Sequence, residues 1–349
     1  MEGFGSWSVL TADFLIVLYI AINGVTLAAI LHLVNAKWRE HVRFLSVSLA
    51  GLFPVAFVLL CILLFNGEST FQWLGAAHGG HGGGHEVHLN AWHNYSFLVT
   101  REILMFFAVA GMYGLFIKYQ HEAHVNPSYE AQRKFRNVAL MIPFFYVVYG
   151  SMVAWDFEMT MLPNWHSASY APYHWVGMFH FFLAFFAVFL FVLKKSGKLR
   201  VDVPDRIMNY FAQMMLAFTI LWTYLFFTQY LIMWYGRLPE EIVRFRDMMD
   251  NDLGIIWWTF VTLKFIIPLC CLVLTPFRHN QYAIVVIACG IIVGTWLERY
   301  TWVSGSVDPE FYHVPMTAGF DVGVTVVIAA VVFATIRWSL NRNGLLKSS

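Results

Sequence analysis

Nine stretches of the chain stay apolar for about the thickness of a bilayer, which a helix crosses in roughly 20 residues at about 1.5 Å each. They cover roughly 11–34, 44–66, 95–118, 136–156, 172–194, 207–234, 253–276, 281–300 and 317–337. No further run of comparable length remains. The pattern predicts an all-α polytopic membrane protein with about nine transmembrane helices. Spans 1–4 and 5–8 each start from the same side, so two four-helix bundles followed by a C-terminal helix are expected. The corresponding boundaries are 1–156, 157–300 and 301–349.

Charge adds a direction. Most of the 22 Lys and Arg residues fall in one set of connections, among them Lys37, Arg39, Arg43, Lys118, Arg133, Lys134, Lys194, Lys195, Lys198, Arg278 and Arg342. The opposite loops hold Arg237, Arg244, Arg246 and Arg299. Basic loops stay cytoplasmic, so the N-terminus is expected outside and the C-terminus inside. Met1-Glu2-Gly3 has no basic n-region or small-residue cleavage site, and no cleavable signal is expected.

Composition agrees: 59% of residues are hydrophobic, 18% aromatic and 12% charged, about half the charge of a soluble domain. The net charge of +1 implies no nucleic-acid surface. The longest loops, about 67–94 and 235–252, leave no room for a large soluble domain, so any such domain belongs to another chain.

Ionisable groups inside a membrane are costly and mark candidate sites. Here they gather toward one side. Asp13 opens span 1, Arg101 and Glu102 lie in the outer part of span 3, and Asp156 and Glu158 close span 4. His174 and His180 lie in the outer half of span 5. Lys264 is near the middle of span 7, Glu298 and Arg299 end span 8, and Asp321 opens span 9. Asp13, Glu158, Arg299 and Asp321 are near enough to the interface to reach solvent by snorkelling. A weak internal echo accompanies this: the third helix of each set carries a cation (Arg101, Lys264), and the fourth ends in a Trp–acid pattern (Trp155-Asp156, Trp296-Leu297-Glu298). A parallel duplication would produce it, and Lys264 is placed to pair with a carboxylate.

Three other features change the picture less. "HGGHGGGHEVHLNAWH" (78–93) is rich in histidine, but its glycines fix no ligand geometry, and it reads as a mobile, partly solvated loop. A haem needs two histidines at matched depth, and His32, His174 and His180 do not match. Cys61, Cys270, Cys271 and Cys289 lie within apolar runs without a Cys-x-x-Cys pair, which argues against iron–sulfur, zinc or disulfide roles. The mixed-charge stretch 234–254 is either a solvated loop or a docking surface for a peripheral partner.

"WDFEMTMLPNWHSASYAPYHWVGMFHFF" (155–182), "FTQYLIMWYGRLPEE" (227–241), "FIIPLCCLVLTPFRHN" (265–280) and "GTWLERYTWV" (294–303), in this order, resemble the quinone-binding membrane subunits of alternative complex III, the ActF type. Those belong to the NrfD-like, polysulfide-reductase membrane-subunit superfamily. The likeness runs from about 12 to 337. It implies a cofactor-free membrane subunit of a quinol:electron-acceptor oxidoreductase in a respiratory or photosynthetic chain, and a bacterial cytoplasmic membrane. It also implies iron–sulfur, multihaem cytochrome c and second NrfD-like partner subunits, with menaquinol or ubiquinol as substrate and no haem or iron–sulfur cluster in this chain. The family usually has ten spans with both termini inside, so nine spans look like loss of the first helix.

By the same resemblance, Asp156 and Glu298 match positions linked to proton handling near the quinone pocket. A quinol needs an acceptor for each hydroxyl proton and donors for the quinone oxygens. Asp156, Glu158 and Glu298 are the candidate acceptors, and Arg101, His174, His180 and Lys264 the candidate donors. Charge separation across the membrane would need a proton path through Lys264 and the bundle interior. Two rival readings come from other classes: a structural anchor for a redox module, and a secondary transporter, whose inverted repeats and broken helices find little echo here beyond Pro268.

Overall fold

The computed structural model describes residues 4–77, 89, 91–237, 239–307 and 312–347. The chain is an all-α polytopic membrane protein. Nine helices among the described residues are long and apolar enough to cross a membrane: Gly5–Leu33, Arg39–Phe65, Tyr95–Val125, Tyr129–Met159, Tyr170–Lys195, Arg206–Tyr235, Gly254–Leu272, Gln281–Ser304 and Gly319–Arg342, here spans 1–9. The helices outrun the apolar stretches that announce them. Spans 3 and 4 extend through "KYQHEAHV" and "YEAQRKF", because the backbone ladder continues after the lipid stops favouring apolar side chains. Polar caps set several starts. The side chains of Asn94, Ser128 and Asn280 accept from the backbone N–H of Phe97, Ala131 and Tyr282, at 3.0, 3.2 and 3.0 Å.

Spans 2, 4 and 7 depart from regular helix. Span 2 passes through a 3₁₀ turn, Leu49–Leu52, before Pro54. Span 4 ends in a π turn, Trp155–Met159. Span 7 carries a second π turn, Thr262–Ile266. Pro268 follows directly and has no N–H to give the carbonyl of Lys264, four residues back, so the ladder widens there. π turns interrupt helices at a cost and favour functional positions.

Spans 1–4 pack in a closed ring in chain order, and spans 5–8 do the same. The rings meet where spans 1 and 4 face spans 5 and 8. Span 1 is apolar on all sides, which suits a helix surrounded by others; 89% of its most hydrophobic window is buried, against 6% for span 9. Span 9 rests on spans 1 and 2 and shows most of its surface outward. In lipid, close packing and interhelical hydrogen bonds hold such helices together, since apolar contact alone gains little.

The stretch between spans 6 and 7 is not a solvated loop. It forms a helix, Pro239–Asp250, whose Arg244, Phe245 and Met248 are buried. The alternation of apolar and charged residues that suggested exposure is the amphipathic pattern of a helix lying on the bundle end. Of the histidine-rich loop, residues 78–88 and 90 lie outside the described residues.

Candidate functional site: a buried ion ladder where the bundles meet

The end of span 4, the start of span 5 and the end of span 8 lie on the face that carries the N-terminus. In a regular helix, residues two apart point to nearly opposite sides. Asp156 and Glu158 follow that rule at the end of span 4. Asp156 turns toward span 3, and Glu158 turns toward spans 5 and 8, so one helix end serves two clusters.

In the first cluster, Arg101 grips Asp156 with Nε to Oδ2 at 2.8 Å and Nη2 to Oδ1 at 2.6 Å. The Trp92 indole N–H donates to Oδ1 at 2.7 Å, and the guanidinium lies 4.0 Å from the Trp92 ring centre. The fork of the guanidinium matches the carboxylate, which makes this geometry specific as well as strong.

The second cluster is a ladder of alternating charge. Glu158 Oε2 accepts from Tyr170 Oη at 2.7 Å and from Arg299 Nη1 at 2.6 Å, and meets His174 Nδ1 at 2.6 Å. Arg299 Nη2 reaches Glu298 Oε1 at 2.6 Å. The ammonium of Lys264 donates to the other oxygen of Glu298, and Tyr173 and Trp222 donate to Oε1. Trp302 in turn donates to Tyr173 Oη at 3.0 Å. Glu158, His174, Lys264, Glu298 and Arg299 are all 0% exposed. Two carboxylates and two cations in sequence leave the ladder close to neutral, the condition under which buried charge is tolerated.

His174 Nδ1 lies 2.6 Å from Glu158 Oε2, which only accepts, and 2.7 Å from Arg299 Nη1, which only donates, so the two contacts favour opposite tautomers of the ring. His174 Nε2 and Glu158 Oε1 are both buried without a hydrogen-bond partner among the described residues. Such atoms are rare in folded proteins and call for an explanation.

Backbone geometry supports the ladder. Span 8 approaches the π turn of span 7 so closely that a Cβ on Gly294 would stand 2.9 Å from Lys264 Cγ and 3.0 Å from Leu263 Cβ. Arg244 closes the outer end. Its guanidinium donates to the carbonyls of Glu158, Met159 and Trp302 at 3.1, 3.3 and 2.9 Å, and it packs over the rings of Trp165 and Trp302. Burial lowers its pKa from the ordinary arginine value to about 10, which leaves it charged at neutral pH.

The candidate residues therefore divide. Glu158, His174, Lys264 and Glu298 meet in the ladder, while Arg101 and Asp156 form a pair of their own. His180 bonds Thr219 at 3.1 Å and joins no ion pair, although the charges of Lys264 and Glu298 reach it. The cation of each third helix pairs with the acid of its own fourth helix, as the internal echo suggests. The snorkelling reading fails for Arg299, Glu158 and Asp321, each 0% exposed, and for Asp13 at 5%. These groups are enclosed by the ends of neighbouring spans, by Arg244 and by residues 312–318. Asp13 accepts from Trp296 at 2.7 Å and from Thr325 at 2.8 Å, and Asp321 holds Ser6 and His313 at 2.6 and 2.8 Å.

Tyr170, Tyr173, Trp222, Trp302 and Arg244 were not among the candidates. Tyr170, Tyr173 and His174 are spaced three and four apart, one face of a helix, which is a readable signal. It was lost because tyrosine and tryptophan near span ends ordinarily form an interfacial belt.

Fold and site define a class: a polytopic helical membrane protein with a neutral ion ladder buried between two bundles. No protein-family model matches the chain, and no curated protein matches it in sequence.

Proposed function

We propose that this chain is the quinone-interacting membrane subunit of a quinol:electron-acceptor oxidoreductase, of the NrfD-like kind found in alternative complex III. The observation that carries the reading is the pair of buried, unpartnered polar atoms, His174 Nε2 and Glu158 Oε1, on a ladder that also holds two cations. Oxidising a quinol releases two protons and two electrons. The protons need acceptors at the hydroxyl oxygens, and the quinone formed needs donors at the same oxygens. His174 and Glu158 serve as the first acceptors. Glu298 is the second carboxylate, held by Arg299 and Tyr173, and Lys264 supplies donor and counter-charge. The electrons pass to iron–sulfur and multihaem cytochrome c partner subunits.

A groove of about 650 Å³ supports access from the membrane. It runs along the outward side of span 7 from Asp250 and Asn251 past Trp258 to Thr262 and Leu263, the neighbours of Lys264. The basic connections between spans support a bacterial cytoplasmic membrane with the N-terminus and the ladder on the outer side.

A photoreactive azidoquinone tests the reading. Irradiation of membranes containing the tagged chain, followed by peptide mapping, should label spans 5, 7 and 8, and excess unmodified quinone should abolish the label. Label that quinone does not displace, or that falls on the outward face of span 9, would remove the assignment.

A further inference from the structure

Glu102 has no place in the mechanism just given, yet it is the most isolated charge-bearing side chain among the described residues. It is 0% exposed, and both of its carboxyl oxygens lack a donor. Its carboxyl lies within hydrogen-bond reach of Asp156. Two ionised carboxylates at that separation would repel, and neither would have a hydrogen to offer the other. Arg101 does not resolve this: its hydrogen bonds run from Nε and Nη2 to Asp156 and from Nη1 to the Trp92 carbonyl at 3.0 Å, and none reaches Glu102. Asp156 Oδ2 takes one bond from Arg101, and a carboxylate oxygen accepts two. A hydrogen on Glu102 completes the arrangement.

A second, independent feature points the same way. The Tyr149 hydroxyl is buried without a hydrogen-bond partner, and it lies in the field of both Glu102 and Asp156.

We infer that Glu102 holds a proton shared with Asp156, forming a proton-storage site in the first bundle. Storage requires only this geometry; its supply with quinol protons rests on the function proposed above. In that case a quinol proton that reaches Asp156 is held between the two carboxyl groups. No bond other than O–H or N–H forms or breaks.

Infrared spectroscopy of the purified full chain in lipid nanodiscs, in neutral buffer without quinone, tests the storage site. The parent protein should show a buried carboxylic C=O band that is absent in Glu102→Gln and retained in Glu298→Gln. Tyr149→Phe should shift the same band by removing a polar neighbour, and this readout serves if Glu102→Gln does not assemble. A spectrum unchanged by Glu102→Gln, or a band in Tyr149→Phe identical to the parent's, would overturn the inference. The resting protein is measured, so loss of this result leaves the quinol reading standing, and loss of azidoquinone labelling leaves the storage site standing.

Discussion

Arg299→Met puts the ladder under its most direct stress. The guanidinium is the cation between Glu158 and Glu298, at 2.6 Å from each. Its removal leaves two fully buried carboxylates facing the single charge of Lys264, and the cluster becomes net negative. Removing one partner of a buried ion pair destabilises by about 3–5 kcal/mol. Here each carboxylate keeps other donors: Tyr170 and His174 for Glu158, and Lys264, Tyr173 and Trp222 for Glu298. The lower end applies, about 3 kcal/mol, or roughly 150-fold in the folding equilibrium. Adding Glu158→Gln restores neutrality and should return about 1–2 kcal/mol of that loss, a coupling within the range for residues in contact. Reversible unfolding in bicelles, followed by tryptophan fluorescence, measures both effects. A single variant within about 0.5 kcal/mol of the parent would refute the reasoning. So would a double variant no more stable than the sum of the two single losses.

Two further outcomes follow from the packing. Gly294→Ala puts a methyl group 2.9 Å from Lys264 Cγ, so it should destabilise by about 1–3 kcal/mol and disturb the Lys264–Glu298 pair; a neutral result in the same unfolding assay would contradict the close approach. Asp13→Ala removes the acceptor for both Trp296 and Thr325. Hydrogen exchange in residues 319–330 should then rise roughly tenfold or more, since hydrogen bonds to charged groups contribute about 1.5–3 kcal/mol each; unchanged exchange would show that span 9 is held by packing alone.

How much of this was readable in the residues differs by feature. The nine helices were, because lipid demands long apolar runs and no other element in this chain supplies them. The pairing of Arg101 with Asp156 and of Lys264 with Glu298 was foreshadowed by the matching of cation and acid between the two halves. Burial of Arg299 was not readable, because residues near the end of an apolar run look the same whether solvent or a neighbouring helix covers them. Arg244 and Trp165, which lie 55 and 134 residues away in sequence, pack on Trp302, one turn beyond Arg299. The helix Pro239–Asp250 was missed because a short amphipathic segment with six charged residues resembles a surface loop until something packs on its apolar side. The π turns were also invisible, since they depend on how Pro268 and the end of span 4 meet their neighbours, and local propensity carries no such signal. Glu102 stood in view beside Arg101, but its isolation from donors is a property of packing.

The central claim is that the buried carboxylates take the protons of a quinol. Quinol oxidation by the assembled complex, purified through a C-terminal tag, tests it most directly in Glu158→Gln and Glu298→Gln. The account predicts that an iron–sulfur protein and a multihaem cytochrome co-purify with both variants as with the parent, while turnover falls about 100-fold, the scale of a lost proton acceptor. Normal turnover in both variants, with the complex intact, would contradict it.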